Sequence, residues 1–506
     1  MVSDRQVAYL DESVAITNLN PNQTFTGMSS IDDFNLNPNQ LLAVKLLSEN
    51  YLPFNKLPKF IRLVGSAGVG KSRVINAIRA LYPPGSVLLC APTGQAAKAI
   101  CGLTVHALFG ISVGKSNDLR QGLIQAFNQT ILHKLKQAKL IIIDEAYMLS
   151  VQQLELILER LQKVFPREIP LRLLLCGDPM QLPPVGGSVL YDSRLTVGHD
   201  FWQKFNFCIE LTTPMRQNDI LFQELLARLR TSRCTDVDLD FLLSKQHWNV
   251  QQLRTLHTSL SQFLQQYTFI AGYKLHVAVI NAVCQTLNSI VSDSQIIKSS
   301  SRNRNSRNRD GVAEMRDALF GVSNYDLEIK RKELFLAVGD RVVVTQNLST
   351  AEGIVNGSRG VLKFFVFASP ENLIDSSPPL AVGVQFEDKQ DQIILIPSKS
   401  SVEFDEGVQI PLQLSYAQTV HKLQGATLNG AVIDYESLLW QDRLTYVAVS
   451  RVTSASGLLA LPVQAINRFK RHKCFRSGVS PLLQAELTKN TQLHQTTEEY
   501  FIINKL

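Results

Sequence analysis

Residues 65–72 read GSAGVGKS, the GxxxxGKS spacing that curls backbone amides around a phosphate. Gly65, Gly68 and Gly70 permit the curl, and Ser66, Ala67 and Val69 complete the loop. Lys71 brings a cation to the β and γ phosphates of a nucleotide such as ATP, and the Ser72 hydroxyl suits Mg2+. The apolar run FIRLV precedes the loop and the helical pattern SRVINAIRALY follows it, the context that a phosphate cradle needs.

A metal-bound phosphate also needs a carboxylate, and LIIIDE at residues 140–145 ends an aliphatic strand in two of them. Asp144 is placed to hold Mg2+, and Glu145 to orient or deprotonate the attacking water. Upstream, NPNQ at residues 37–40 has two readings. Asn37, Pro38 and Gln40 make a helix-capping box, and a glutamine just before a phosphate loop can also read adenine through its amide.

These groups need a scaffold that brings distant segments together. FIRLVG, SVLLCAP, KLIIIDEA, LRLLLCGD and FNFCIEL alternate with helical patterns, which predicts a parallel sheet covered on both faces over residues 34–210. YTFIAGY, LQLSYAQTV, GAVIDY and LTYVAVSR predict strands of a second α/β domain, built from residues 211–335 and 401–470. Between these halves, residues 336–400 carry short β-rich segments with glycine turns, which predict a small β-barrel insertion. Residues 1–33 read as a loose leader and 471–506 as a tail. The run SSSRNRNSRNRD at 299–310 reads as a solvated loop or a nucleic-acid contact.

Composition permits this without selecting it. The 506 residues are 45% hydrophobic and 19% charged, the balance of a globular protein of several domains. A net charge of +7 mildly favours a polyanion as partner. Seven scattered cysteines without a CxxC pair suggest neither zinc nor disulfides, and point to a reducing, intracellular compartment. No apolar run looks long enough to cross a bilayer, so no membrane is expected. Asp4, Asp11 and Glu12 argue against a transit peptide.

Further motifs follow in order: APTGQAAKAICGLTVH at 91–106, CGDPMQLPPV at 176–185, LTTPMRQND at 211–219, PLQLSYAQTVHKLQGATL at 411–428 and YVAVSRV at 446–452. With GSAGVGKS, IIDEAYML and the insert segments LAVGDRVVVTQN and VNGSRG, the series resembles the PIF (petite integration frequency) family and RecD-like helicases of superfamily one, over about Asn37 to Gly457. The resemblance implies two RecA-like P-loop NTPase domains, with a small wedge at about 111–135, and an ATP- and Mg2+-dependent motor moving 5′ to 3′ on DNA.

Phosphoryl transfer asks for cations converging from a second domain, and Arg216 and Arg451 are the matching positions. Gln181 matches a γ-phosphate sensor and Gly425 a motif between nucleotide and nucleic acid. Thr93, Thr104, His106, His421 and Lys422 match strand-binding positions; His106 alone reads equally as a structural histidine. The implied partners are single-stranded DNA, duplex junctions and replication or repair proteins, with the chain acting as a monomer. An RNA-directed motor and a non-catalytic single-strand-binding subunit are the alternatives. Ala146, Tyr147 and Leu423 depart from the family pattern without removing a catalytic group.

Overall fold

The computed structural model describes residues 7–9, 34–48, 58–111, 129–192, 197–217, 219–246, 260–298, 334–349, 352–367, 378–400 and 408–503. The leader apart from 7–9, most of the expected wedge and the Arg/Asn/Ser run at 299–310 lie outside them.

Six parallel strands form the first sheet, in the spatial order Leu103–Thr104, Val87–Ala91, Leu140–Ile143, Arg172–Gly177, Phe60–Gly65 and Phe207–Leu211. Leu140–Ile143 and Arg172–Gly177 are buried along their whole length, which is why they read as unbroken apolar runs instead of alternating ones. Two hydrophobic clusters cover the two faces, one built on Ile141, Leu173 and Trp202, the other on Ile61, Ile142 and Ile78. The phosphate loop, Asp144 and Asp178 all follow strand carboxyl ends, the edge where parallel sheets bind ligands.

The second sheet is also parallel, in the order Ala417–Thr419, Tyr267–Ala271, Gly430–Ile433 and Leu458–Ala460. LTYVAVSR is not one of its strands: Leu444–Val449 is a helix, and all six residues are buried. A helix that is apolar all round has no face to reveal its period, so a run of β-branched and aromatic residues reads as a strand. LQLSYAQTV is split between two sheets, since Leu412–Leu414 pairs with Arg341–Val344 in the insert and only Ala417–Thr419 joins the second parallel sheet.

The insert is a sheet in the order Ile393–Pro397, Ala381–Phe386, Arg359–Phe367, Arg341–Val344 and Leu412–Leu414, with Val7–Tyr9 added parallel to Arg359–Phe367. Among the described residues these pairings do not close into the expected barrel, and the sheet draws on residues beyond 400.

Helix Lys274–Ser292 corrects the expectation about apolar length, because it is long and apolar enough to cross a bilayer. One stripe of it is polar, however: Asn281 donates to the Ala417 carbonyl (3.2 Å), Gln285 to the Phe335 carbonyl (3.0 Å) and Asn288 to the Val338 carbonyl (3.2 Å). The Gln285 and Asn288 bonds fasten this helix of the second α/β domain to the start of the insert, while the Asn281 bond holds it to its own sheet. Residues 481–503 form a helix on the edge strand Phe207–Leu211 of the first sheet. Arg62, fully buried in the phosphate-loop strand, donates to Glu486 (2.9 Å), Asn490 (2.9 Å) and the Trp202 carbonyl (3.2 Å), so this helix neutralises a charge inside the first domain.

Candidate nucleotide site and single-strand surface

The phosphate loop turns through Gly68 and Gly70, whose φ angles of +83° and +87° only glycine adopts easily. A Cβ at Gly70 would lie 2.3 Å from Gln40 Nε2, and one at Gly68 would lie 2.7 Å from Arg216 Cβ. The loop is thus gripped by the helix before it and the linker after the sheet. Lys71 Nζ donates to the Gly65 and Ser66 carbonyls (2.8 and 2.9 Å). Ser72 is exposed one residue on, in the first turn of helix Lys71–Leu81.

Both readings of Gln40 can be weighed on its amide. Its backbone N–H donates to Asn37 Oδ1 and its Oε1 accepts from the Asn37 N–H, completing the capping box. Its Nε2 donates to the Val69 carbonyl (3.1 Å). The side chain therefore ties the capped helix to the phosphate loop, with both polar ends of the amide engaged.

Asp144 and Glu145 stand side by side and buried. Burial and the neighbouring Glu145 charge raise the Asp144 carboxyl above the usual range, while Lys71 and the Glu145 N–H pull it down. Glu145 has a φ of +50°, a conformation rare outside glycine, which turns the chain sharply after the strand. Its Oε2 accepts from Gln424 Nε2 (3.1 Å), and Gly425, with φ +84°, packs beside it.

The two arginines approach from the far side. Arg216 donates to the Ser450 carbonyl (3.2 Å), and the preceding Met215 N–H donates to the Gly68 carbonyl (2.8 Å). Arg451 is buried and donates to the carbonyls of Val447 (2.8 Å) and Ala426 (3.3 Å) and to Ser450 Oγ (2.8 Å). Burial and the adjacent Arg216 push the Arg451 guanidinium down to about 10, against the opposing pull of Glu145. Gln181 is buried too, and its Oε1 has no hydrogen-bond partner among the described residues.

Three residues were not singled out from the sequence. Tyr446 accepts from the Ala67 N–H (3.2 Å) and donates to Asp178 Oδ2 (3.2 Å), bridging phosphate loop and second domain. Arg230 pairs with the same carboxylate (2.8 Å) and helps hold it below the usual range despite burial. Gln424 is the link already described to Glu145. Tyr446 and Gln424 lie inside the quoted YVAVSRV and HKLQG segments, a signal of place but not of role.

Of the residues expected to meet a strand, Thr93 and Thr104 each cap a helix, accepting from the Ala96 and Ala107 N–H groups (both 3.2 Å). His106 and His421 are half-buried, and burial lowers the pKa of each. Lys422 is depressed by burial and by Lys274. The first domain contributes Thr93, Thr104 and His106, the second His421 and Lys422. The insert reaches the same border, where a Cβ at Gly94 would lie 3.0 Å from the Asn356 carbonyl.

Residues 35–233 match the family model described as PIF1-like helicase. Over this segment the chain is similar to the PIF1-like helicase family. Beyond it, the ATP-dependent DNA helicase PIF1 of Xenopus laevis is 27% identical over 82% of this chain and 61% of its own length. The Bdellovibrio bacteriovorus Pif1 helicase is 26% identical over 85% of this chain and 89% of its own. The chain thus spans about three-fifths of the vertebrate relative and nearly all of the bacterial one. A Pif1 helicase from Bacteroides, solved with ADP-AlF3 and ssDNA, has a TM-score of 0.62 at 22% identity, covering 86% of this chain and 94% of its own. The Candida albicans Pif1 helicase gives the same TM-score at 21% identity, covering 90% and 99%. These structures share the α/β fold with parallel sheets.

Proposed function

We propose that the chain is an ATP-dependent DNA helicase that moves 5′ to 3′ along single-stranded DNA and opens duplexes during replication, repair or recombination. One observation carries this reading: Arg216 packs against the phosphate loop at Gly68, Arg451 lies within electrostatic reach of Arg216 and Glu145, and Gln424 ties Glu145 to the short helix bearing His421 and Lys422. Turnover at the nucleotide is thereby connected, through about one helical turn, to the strand-binding residues.

The oxygen donors suit a hard cation, with the buried Asp144 carboxylate near the charge of Lys71 and the Ser72 hydroxyl at the helix start. Bound there, Mg2+ would neutralise charge on the transferred phosphoryl group. Lys71 and the loop amides bind the phosphates, Arg216 and Arg451 balance charge at the γ position, and Gln181 senses it. Glu145 orients the attacking water and takes up its proton, its other oxygen held by Gln424. Thr93, Thr104, His106, His421 and Lys422 contact phosphates, which makes binding tolerant of sequence. All seven cysteines are free, which supports action in a reducing compartment.

Unwinding of two partial duplexes, one with a 5′ tail and one with a 3′ tail, tests the proposal. Mg2+-ATP should open the 5′-tailed duplex selectively. Opening only of the 3′-tailed substrate would refute the direction, and intact binding with neither opened would point to RNA or to a non-catalytic role.

A further inference from the structure

Four aromatic rings line the carboxyl edge of the second motor sheet. His421 lies 6.2 Å from Trp440 at an interplanar angle of 22°, and Trp440 lies 5.9 Å from Tyr273 at 27°. His276 follows Tyr273 at 5.5 Å and is paired with Asp434 (2.6 Å), which closes the row. Trp440 and Tyr273 are 48% and 44% exposed, a large apolar area to leave in water on one edge.

The row is built into the fold. Tyr273 is the N-cap residue of helix Lys274–Ser292, and Trp440 follows the short helical turn Glu436–Leu438. The two segments meet at Gly272, whose N–H donates to Ser437 Oγ (2.7 Å). A Cβ there would lie 1.9 Å from the Ser437 carbonyl and 2.9 Å from Trp440 Nε1, so glycine is what allows the indole to sit beside Tyr273.

We propose that Trp440 and Tyr273 stack on bases of the single strand whose phosphates pass His421 and Lys422. This rests on the single-strand reading above and adds to it the residues that touch bases. Three observations select unpaired nucleic acid as the occupant. His421, a strand-binding candidate, is itself a member of the row. Lys274 and Lys422 place cations beside it, close enough for one to affect the other. Parallel sheets also take ligands at this edge. Stacking accepts any base, because every base offers a π face, so the platform suits a motor that tolerates sequence.

Full-length chain should be titrated with an oligo-dT strand and with an abasic strand of equal length at fixed salt. Trp440→Ala and Tyr273→Ala should each weaken oligo-dT binding about 5- to 100-fold and change abasic binding less than about twofold, while Trp440→Phe keeps most of the affinity. The proposal is overturned if Trp440→Ala affects both strands equally, which is the mark of a scaffold residue, or neither. Failure of the unmodified chain to bind oligo-dT would instead overturn the single-strand reading itself, and needs no variant to be seen.

Discussion

Gly70 must satisfy two demands at once, a left-handed backbone and the Gln40 amide 2.3 Å from where a Cβ would stand. Gly70→Ala should therefore destabilise the first domain by more than the roughly 1–2 kcal/mol of the backbone term alone. In a double-mutant cycle with Gln40→Ala, measured by denaturant unfolding, part of that loss should be recovered. In the proposed mechanism Arg216 and Lys71 act on charge rather than conformation. Arg216→Ala should lower strand-stimulated kcat about 10³-fold or more, and Lys71→Ala should lower it about 10²- to 10³-fold; steady-state ATPase assays check both. The placement of the loop and of both carboxylates at strand ends was legible in the sequence because residue type and spacing set it. Tyr446 and Gln424 were not, since their value lies in what they touch: a tyrosine hydroxyl means little until Ala67 and Asp178 are beside it.

Among the elements, the helix Pro481–Ile503 departs furthest from expectation, having been read as a tail. It supplies Glu486 and Asn490 to Arg62, and Asn490 also donates to the Tyr147 hydroxyl (3.3 Å). Tyr147, the departure in IIDEAYML, thereby connects the loop after Asp144 to this helix. Glu486→Ala leaves the buried guanidinium without its counterion and should cost about 3–5 kcal/mol, whereas Arg62→Met combined with Glu486→Leu should cost far less; thermal unfolding of the two variants separates the cases. The parallel strands were readable because burial on both faces leaves an unmistakable apolar run. Leu444–Val449 was not, because a wholly buried helix and a buried strand have the same composition.

For the molecule as a whole, charge sets two further expectations. Single-strand affinity should fall with salt, and Lys422→Ala should flatten the log–log slope by about 0.7 if that ammonium meets one phosphate. At the junction of insert and second domain, Asp340 accepts from Gln285, Asn288, Ala337 and Tyr416, yet burial outweighs these donors and pushes its carboxyl up to about 6. The folded form then holds its proton more tightly than the unfolded one. Its contribution is complete below about pH 4 and is lost as pH rises to about 6, on the order of 2–3 kcal/mol. Hydrogen exchange at Arg341–Val344 across that window should show protection falling as pH rises, after correction for intrinsic rates.

The buried ion pair of the first domain also sets a timetable. Arg62 and Glu486 are 424 residues apart. At about 5–20 residues per second, the ribosome delivers the partner of Arg62 roughly 20–85 s after Arg62 itself. Until then a first domain with all six strands made carries an unneutralised guanidinium in its interior, so it should stay open to proteases until the closing helix emerges.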